Sequence, residues 1–320
     1  MAVVPGFLSK GGDKKVQKST TLPVAGRSRH FYKVKDSAIG YLFLLPFLFF
    51  YAVFSLYPMV QGFVISFFKW NITGAKTFVG IANYAKLFQD PVFWKALTNT
   101  LVYVFVSTPI FMLGSLILAL IVDSKMLRGK TFVRSTFFLP NILAVSITAV
   151  IWLNIFQPYT GLMNAATHAL GVKNEIFWLS NLSLVWPSII LVTFWWNTGY
   201  YMLIYLAGLQ EIPVEQYEAA SIDGATGFQR IWRITVPCLK RTHLLVLFLQ
   251  VIASFKIFGQ VFLITEGGPG GASRTLLQYI YETGFTTFQM GQASAASFIL
   301  LAIILIVSLF QLKIMNKQED

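Results

Sequence analysis

A chain of 320 residues that is 56% hydrophobic, 16% aromatic and only 12% charged, with a mean hydropathy of +0.65, is not built for water; soluble domains carry about 25% charge. One cysteine, Cys238, and three well-separated histidines, His30, His168 and His243, exclude a disulfide framework, a cysteine zinc site and a histidine metal cluster. The net charge of +12 gives no sign of nucleic-acid binding, because in a membrane protein basic residues mark the cytoplasmic side.

Residues 1–36 are basic, rich in Gly, Ser and Thr, and lack the apolar stretch of a signal peptide. They read as a solvated cytoplasmic tail that meets anionic lipid. From residue 37 to 320 the pattern is one membrane domain. Asp, Glu, Lys and Arg are missing from 37–68, 96–122, 135–172, 176–210, 242–255 and 283–312, and a crossing helix needs about 20 mostly apolar residues. The first, second and last gaps each predict one span, with Pro46 and Pro58 inside or at the end of the first. The third gap predicts one span near 137–156, and the fourth one near 184–207. A fifth span near 243–264 is interrupted only by Lys256. The expected fold is therefore an all-α membrane protein with six transmembrane helices. Placing both termini in the cytoplasm puts 18 Lys/Arg on inside segments against 6 on outside segments, which is the favoured orientation.

The sequence contains no room for a soluble catalytic domain. Its longest inside loop, 209–242, has 34 residues, too few for a nucleotide-binding fold, and no Gly-x-x-x-x-Gly-Lys-Ser/Thr phosphate loop occurs. The chain is thus not expected to hydrolyse ATP by itself. A membrane-embedded enzyme is disfavoured by the missing His-Glu-x-x-His motif and the sparse histidines. A secondary carrier is disfavoured because no carboxylate lies in any of the gaps.

Loop 209–242 is the most informative stretch. Pro213 opens a short helix, where a missing N–H costs nothing, and Glu215 in the first turn suits the helix dipole. Glu218, Ala219 and Ala220 continue it, and Asp223-Gly224 is a turn pair. A second helical stretch from Thr226 places Phe228, Ile231, Trp232 and Thr235 on one face, and Pro237 ends it. The expected product is a helix–turn–helix on the cytoplasmic surface that exposes Glu218 and Asp223. An amphipathic loop lying on lipid would be Lys/Arg-rich on its polar face; the acidic residues favour a docking knob for a soluble partner.

The constellation Glu218-Ala219-Ala220, Asp223-Gly224-Ala225, Ile234 and Pro237, in a cytoplasmic loop before the penultimate span, resembles the EAA loop of type I ABC importer permeases. Two departures are Val236-Pro237 where the family usually has Leu-Pro, and Arg241 where a second Pro is common. The resemblance covers roughly 41–300 and leans toward the sugar branch, similar to maltose and glycerol-phosphate permeases. Tyr57-Pro58, Trp70-Asn71, Asp90-Pro91, Phe138-Leu139-Pro140 and the outer Thr265-x-Gly267-Gly268-Pro269 motif carry it further. The first outer loop is too short for the large extra domain of some maltose-type members. The resemblance implies a six-helix permease with a cytoplasmic coupling helix. It also implies a second homologous permease, an ABC ATPase dimer that binds ATP and Mg, an extracellular solute-binding protein and a sugar substrate. No cofactor of the chain's own is implied, and the implied location is the bacterial or archaeal inner membrane. By the same resemblance Glu218 contacts the ATPase beside Asp223, and Ala219, Ala220 and Gly224 allow close approach. Phe228 and Ile231 hold the knob against its own bundle.

Candidate path residues are polar or aromatic groups inside spans, which are expensive there and usually face the bundle interior. In span four, Asn197 and Tyr201 share a face flanked by Phe194 and Thr198, and similar maltose-type permeases contact substrate in this part of the helix. The other reading is an aromatic belt with an Asn bonded to a neighbouring helix. In span five, Lys256 has Gly259 and Gln260 on its face, with Ser254 and Phe258 nearby. Lys256 either contacts an anionic or hydroxyl-rich substrate or serves as a structural partner to a carboxylate or helix end of the paired permease. The structural role is favoured, because similar permeases often carry Lys here. The small residues Gly291/Ala295 and Ala293/Ser297 predict close helix packing. The Gly267–Gly271 stretch is either a contact for the solute-binding protein or a plain turn.

Overall fold

The computed structural model describes residues 42–71, 74–124 and 126–316; the expected tail 1–36 lies outside the described residues. The described residues fall into two units that divide after Met59. Helix α1 runs Leu42–Ser66 and widens into a π turn over Ala52–Leu56, just ahead of Pro58. Proline removes one helical N–H and crowds the preceding turn, and a wider turn absorbs both effects.

A two-stranded antiparallel hairpin follows, β1 (Phe68–Lys69) with β2 (Thr77–Phe78), so the fold is not purely helical. Helix α2 (Ala82–Gln89) leads into α3 (Pro91–Asp123). Asp90 caps α3 by accepting from Val92 N at 2.8 Å, and Pro91 occupies the first turn, where no N–H is needed. Next come α4 (Lys130–Ile142), α5 (Val145–Ile155), α6 (Leu162–Ala169) and α7 (Val185–Gln210). The helices of loop 209–242 are α8 (Val214–Ile222) and α9 (Gly227–Cys238). The last four are α10 (Lys240–Phe255), α11 (Gly259–Ile264), α12 (Leu276–Tyr281) and α13 (Met290–Asn316).

Among the described residues, α1, α3, α7 and α13 are each long and apolar enough to cross a membrane. Two further runs qualify only as bent pairs, α4 with α5 at 100° and α9 with α10 at 66°. The expected continuous third span near 137–156 is therefore corrected: the helix starts earlier, at Lys130, and breaks at Leu143-Ala144. The expected fifth span near 243–264 is corrected likewise, since α10 stops at Phe255 and α11 restarts at Gly259.

Long apolar side chains such as Phe105, Leu113, Ile117, Ile306 and Leu309 remain exposed on α3 and α13. In water such a surface would drive association; in a bilayer it is the lipid face. The interior is held by glycine at crossing points. A Cβ on Gly199 of α7 would fall inside the van der Waals radius of Phe137 O on α4, and one on Gly208 would collide with Thr242 of α10. The expected small-residue packing of the last span is present: Gly291 abuts the Phe68 carbonyl, and Ala295 and Ala296 are fully buried.

Candidate functional site

Both helix breaks open onto one cavity of about 290 Å³. Its lining includes Asn197 and Trp196 from α7, Gln250 and Ser254 from α10, Lys256 and Phe258 from the break, Gln260 from α11 and Tyr103 from α3. Irregular backbone at membrane depth survives only where other groups satisfy the freed N–H and C=O. That compensation is visible at each break. The Trp196 indole N–H donates to Leu143 O at 3.2 Å, and the buried Thr275 hydroxyl donates to Ile257 O at 3.1 Å. Gly259 admits the close approach of α11 to α5, since a Cβ there would meet Val145 Cγ2 at 2.9 Å.

The structure brings five of the eight path candidates together: Asn197, Ser254, Lys256, Phe258 and Gln260 all line this cavity. Asn141 Nδ2 donates to Asn197 Oδ1 at 3.3 Å, which orients that amide. Ser254 is buried, accepts from Gln250 Nε2 at 3.0 Å and lies 3.3 Å from Ser107 Oγ, tying α10 to α3. Lys256 caps the end of α10 and is exposed, so it shares no helical face with Gly259 and Gln260 as expected. The other three candidates are placed elsewhere. Phe194 packs on Phe111 with ring centroids 5.9 Å apart. Thr198 donates to Phe194 O within its own helix. Tyr201 is buried in the apolar cluster with Met202, Tyr205 and Leu206. The expected shared face of Asn197 and Tyr201 is thus split between cavity and core. Gln250, Trp196 and Tyr103 were missed; Gln250, a polar group inside a span, carried the signal that would have found it.

Loop 209–242 is a folded unit. Gly224 adopts φ +74°, and Ala225 N donates to Ala220 O at 2.9 Å, a left-handed cap closing α8. Thr226 and Gln229 form a reciprocal capping box that opens α9. The two helices are tied by Tyr217 Oη to Thr235 Oγ1 at 2.9 Å and by Arg230, which donates to Ser221 Oγ at 3.0 Å. Ile212 and Leu239 seat the loop in the Tyr205–Leu209 cluster. Glu218, Ala219, Asp223 and Gly224 are exposed, and Ala220 is half-buried. Ile231 is half-buried, but Phe228 is 71% exposed, so Phe228 does not hold the knob against its own bundle. The second helix ends at Cys238, one residue past Pro237, behind a π turn over Ile231–Thr235.

The Gly267–Gly271 stretch is strapped down. Lys95 Nζ donates to Gly270 O at 3.0 Å, Asn99 Nδ2 to Gly271 O at 3.1 Å, and Trp186 Nε1 to Ala272 O at 3.0 Å. Tyr279 donates to Asp90 Oδ2 at 2.7 Å. Burial first, and then the Asp90 carboxylate, push the Tyr279 phenol up.

A bundle of long apolar helices with a polar cavity at two helix breaks has the build of a solute-conducting membrane subunit. The family model of the binding-protein-dependent transport system inner membrane component matches residues 79–317, and the chain belongs to that family. It is similar to the probable ABC transporter permease protein YurN of Bacillus subtilis (strain 168), 37% identical over 289 residues, which are 89% of this chain and 99% of YurN. It is also similar to the arabinooligosaccharides transport system permease protein AraP of the same organism, 34% identical over 94% of this chain and 97% of AraP. Its fold matches a chain in the crystal structure of a bacterial ABC transporter involved in the import of the acidic polysaccharide alginate. The TM-score is 0.79 at 24% identity, covering 90% of this chain and 99% of that one.

Proposed function

We propose that this permease is half of the translocation path of an ATP-driven importer of a sugar or oligosaccharide. Six crossings carry it: α1, α3, the α4–α5 pair, α7, the α10–α11 pair and α13, with both termini cytoplasmic. Substrate passes the cavity of Asn197, Ser254, Lys256, Phe258 and Gln260, at the interface with a second permease. Phe194, Thr198 and Tyr201 support that wall from behind. The chain itself is non-catalytic. An ATPase dimer hydrolyses ATP and docks on α8 through Glu218, Ala219, Ala220, Asp223 and Gly224, with Ile231 bracing the loop. An extracellular binding protein delivers the solute. The observation that carries this reading is the exposed acidic surface of α8 on a loop rigidly seated against α7 and α10. Such a loop passes a push on α8 directly to two cavity-lining helices.

The test is copurification of the tagged chain with its genomic neighbours, followed by the ATPase rate of the complex with Glu218→Ala. The expected result is capture of an ATPase and a second permease, with loss of substrate-stimulated hydrolysis in the variant. A chain that purifies alone and moves solute without ATP overturns the proposal in favour of a secondary carrier or membrane enzyme. One observation supports a narrower substrate, an acidic or phosphorylated saccharide: Lys256 lies in a cavity whose lining contains no carboxylate. Uptake of a uronate oligosaccharide compared with its neutral counterpart decides between the two.

A further inference from the structure

The two halves of the cytoplasmic loop carry opposite charge. Every acidic residue of the loop, Glu211, Glu215, Glu218 and Asp223, lies on the α8 side, and every basic one, Arg230, Arg233, Lys240 and Arg241, lies from α9 onward. Arg230 is spent on Ser221. Arg233, Lys240 and Arg241 are exposed, and among the described residues none is paired with a carboxylate. Beside them Phe228 and Trp232 are 71% and 57% exposed, their rings 6.0 Å apart on the outer face of α9. The inner face is already used, with Thr235 and Leu239 buried and Ile231 and Ile234 half-buried.

Geometry adds a direction. Helix α9 meets α10 at 66°. If α10 crosses the bilayer near its normal, α9 lies closer to the membrane plane than to that normal, at the depth where α10 enters. A helix in that position, with Trp and Phe exposed and Lys/Arg at its edge, has the composition of an interfacial anchor. Trp favours the headgroup level because its ring is apolar and its N–H is polar. Basic side chains beside it meet the negative potential of the cytoplasmic leaflet.

We propose that α9 is a lipid anchor: Phe228 and Trp232 insert at the cytoplasmic membrane boundary while Arg233, Lys240 and Arg241 bind anionic phospholipid headgroups. The loop is then divided, with α8 docking protein and α9 docking lipid. This rests on the reading that α10 crosses from the cytoplasmic side. The consequence is regulatory. A push on α8 is resisted by a hinge pinned to the membrane, so coupling depends on the anionic lipid content.

Cys238 is the only cysteine, so Cys238→Ser clears the chain for a single nitroxide at Trp232→Cys. The labelled chain, copurified with its partner subunits, is placed in phosphatidylcholine bilayers with and without phosphatidylglycerol. The expected label collides with oxygen several-fold more than with an aqueous nickel chelate. Dominant collision with the chelate overturns the proposal, and so does shielding from both reagents, which would mean that a protein partner covers the patch. Should that label impair assembly, Phe228→Cys gives the same readout. In a second arm, combined Arg233→Gln, Lys240→Gln and Arg241→Gln is expected to remove the phosphatidylglycerol stimulation of ATPase activity while preserving the rate in phosphatidylcholine. Stimulation equal to wild type overturns the headgroup contact. An assembled ATPase complex with an aqueous label defeats the anchor alone, whereas failure to copurify any ATPase defeats the permease reading instead.

Discussion

The unbroken helices α3 and α7 and the broken pairs α4–α5 and α10–α11 solve the same problem in opposite ways. Helices α3 and α7 run unbroken, α3 even through Pro109, and glycine brings neighbours close: Gly114 receives the Phe194 ring, and Gly199 receives the backbone of α4. The broken pairs release carbonyls, and side chains from elsewhere catch them, Trp196 at Leu143 and Thr275 at Ile257. The continuous helices form the frame, and the broken ones supply most of the cavity wall, which Tyr103 of α3 and Thr193, Trp196 and Asn197 of α7 complete. The difference teaches where this fold tolerates change. Frame positions fail by steric collision, and wall positions fail by losing a single hydrogen bond.

The sharpest way to break that contrast is Gly199→Ala. Replacing helical glycine normally gains about 0.5–1 kcal/mol of helix propensity. Here the added methyl would collide with the Phe137 carbonyl, and overpacking costs roughly 1–3 kcal/mol. Sterics win, so the variant is expected to lose roughly 2 kcal/mol, seen as a lowered Tm of the detergent-solubilised protein. An unchanged or raised Tm would mean that α4 does not approach α7 this closely.

Next in size is Thr275→Val. The hydroxyl both catches Ile257 O at 3.1 Å and caps α12 by accepting from Gln278 N at 3.4 Å. A lost cap costs about 1 kcal/mol and a stranded buried carbonyl about as much again, so a loss of roughly 2 kcal/mol is expected. Thr275→Ser keeps the hydroxyl and should recover most of it. Trp196→Phe follows at roughly 1 kcal/mol, because cavity water can replace part of the bond to Leu143 O. Its expected signature is faster hydrogen exchange at the α4–α5 break with little change in α7. Equal exchange at both would deny the break its special status.

How much of this was legible in the sequence follows the same division. Charge-free gaps located α3, α7 and α13, since a frame helix is apolar along its length. The α4–α5 break was invisible: Leu143-Ala144 carries neither Pro nor Gly, and Pro140 sits inside α4 instead, whereas the α10–α11 break falls at Lys256, the one interruption of that span. Hydropathy counts apolar residues and says nothing about the angle between two halves of a run. In the loop, Pro213 and Asp223-Gly224 marked α8 correctly, because turn chemistry is local. The Thr226–Gln229 capping box was equally readable and was overlooked. Periodicity put Phe228, Ile231 and Trp232 on one face, but it cannot say whether protein or lipid covers that face. Near a membrane the usual assumption that apolar means inward fails. Of the cavity lining, Asn197 and Lys256 were legible as polar groups in apolar runs, whereas Tyr201 shows that four-residue spacing alone does not select the cavity side.

The smallest expected effect on stability sharpens the contrast most for function. Lys256 is exposed at the C-terminal end of α10, so Lys256→Gln removes a favourable charge near the helix carbonyls and little packing. The cost should stay within about 0.5 kcal/mol. In the cavity, however, no carboxylate balances this ammonium, and Asn197, Ser254 and Gln260 are neutral. An anionic solute crossing the wall would lose its one opposite charge, whereas a neutral sugar would exchange one hydrogen-bond donor for another. The variant should therefore slow uptake of a uronate oligosaccharide by an order of magnitude or more, since a charge-assisted hydrogen bond contributes about 1.5–3 kcal/mol. Uptake of a neutral oligosaccharide should change less than about threefold, the difference left when a neutral hydrogen bond replaces another. Equal losses for both solutes, together with a lowered Tm, would instead make Lys256 a structural cap of the broken helix and return the selectivity of the path to the neutral side chains around it.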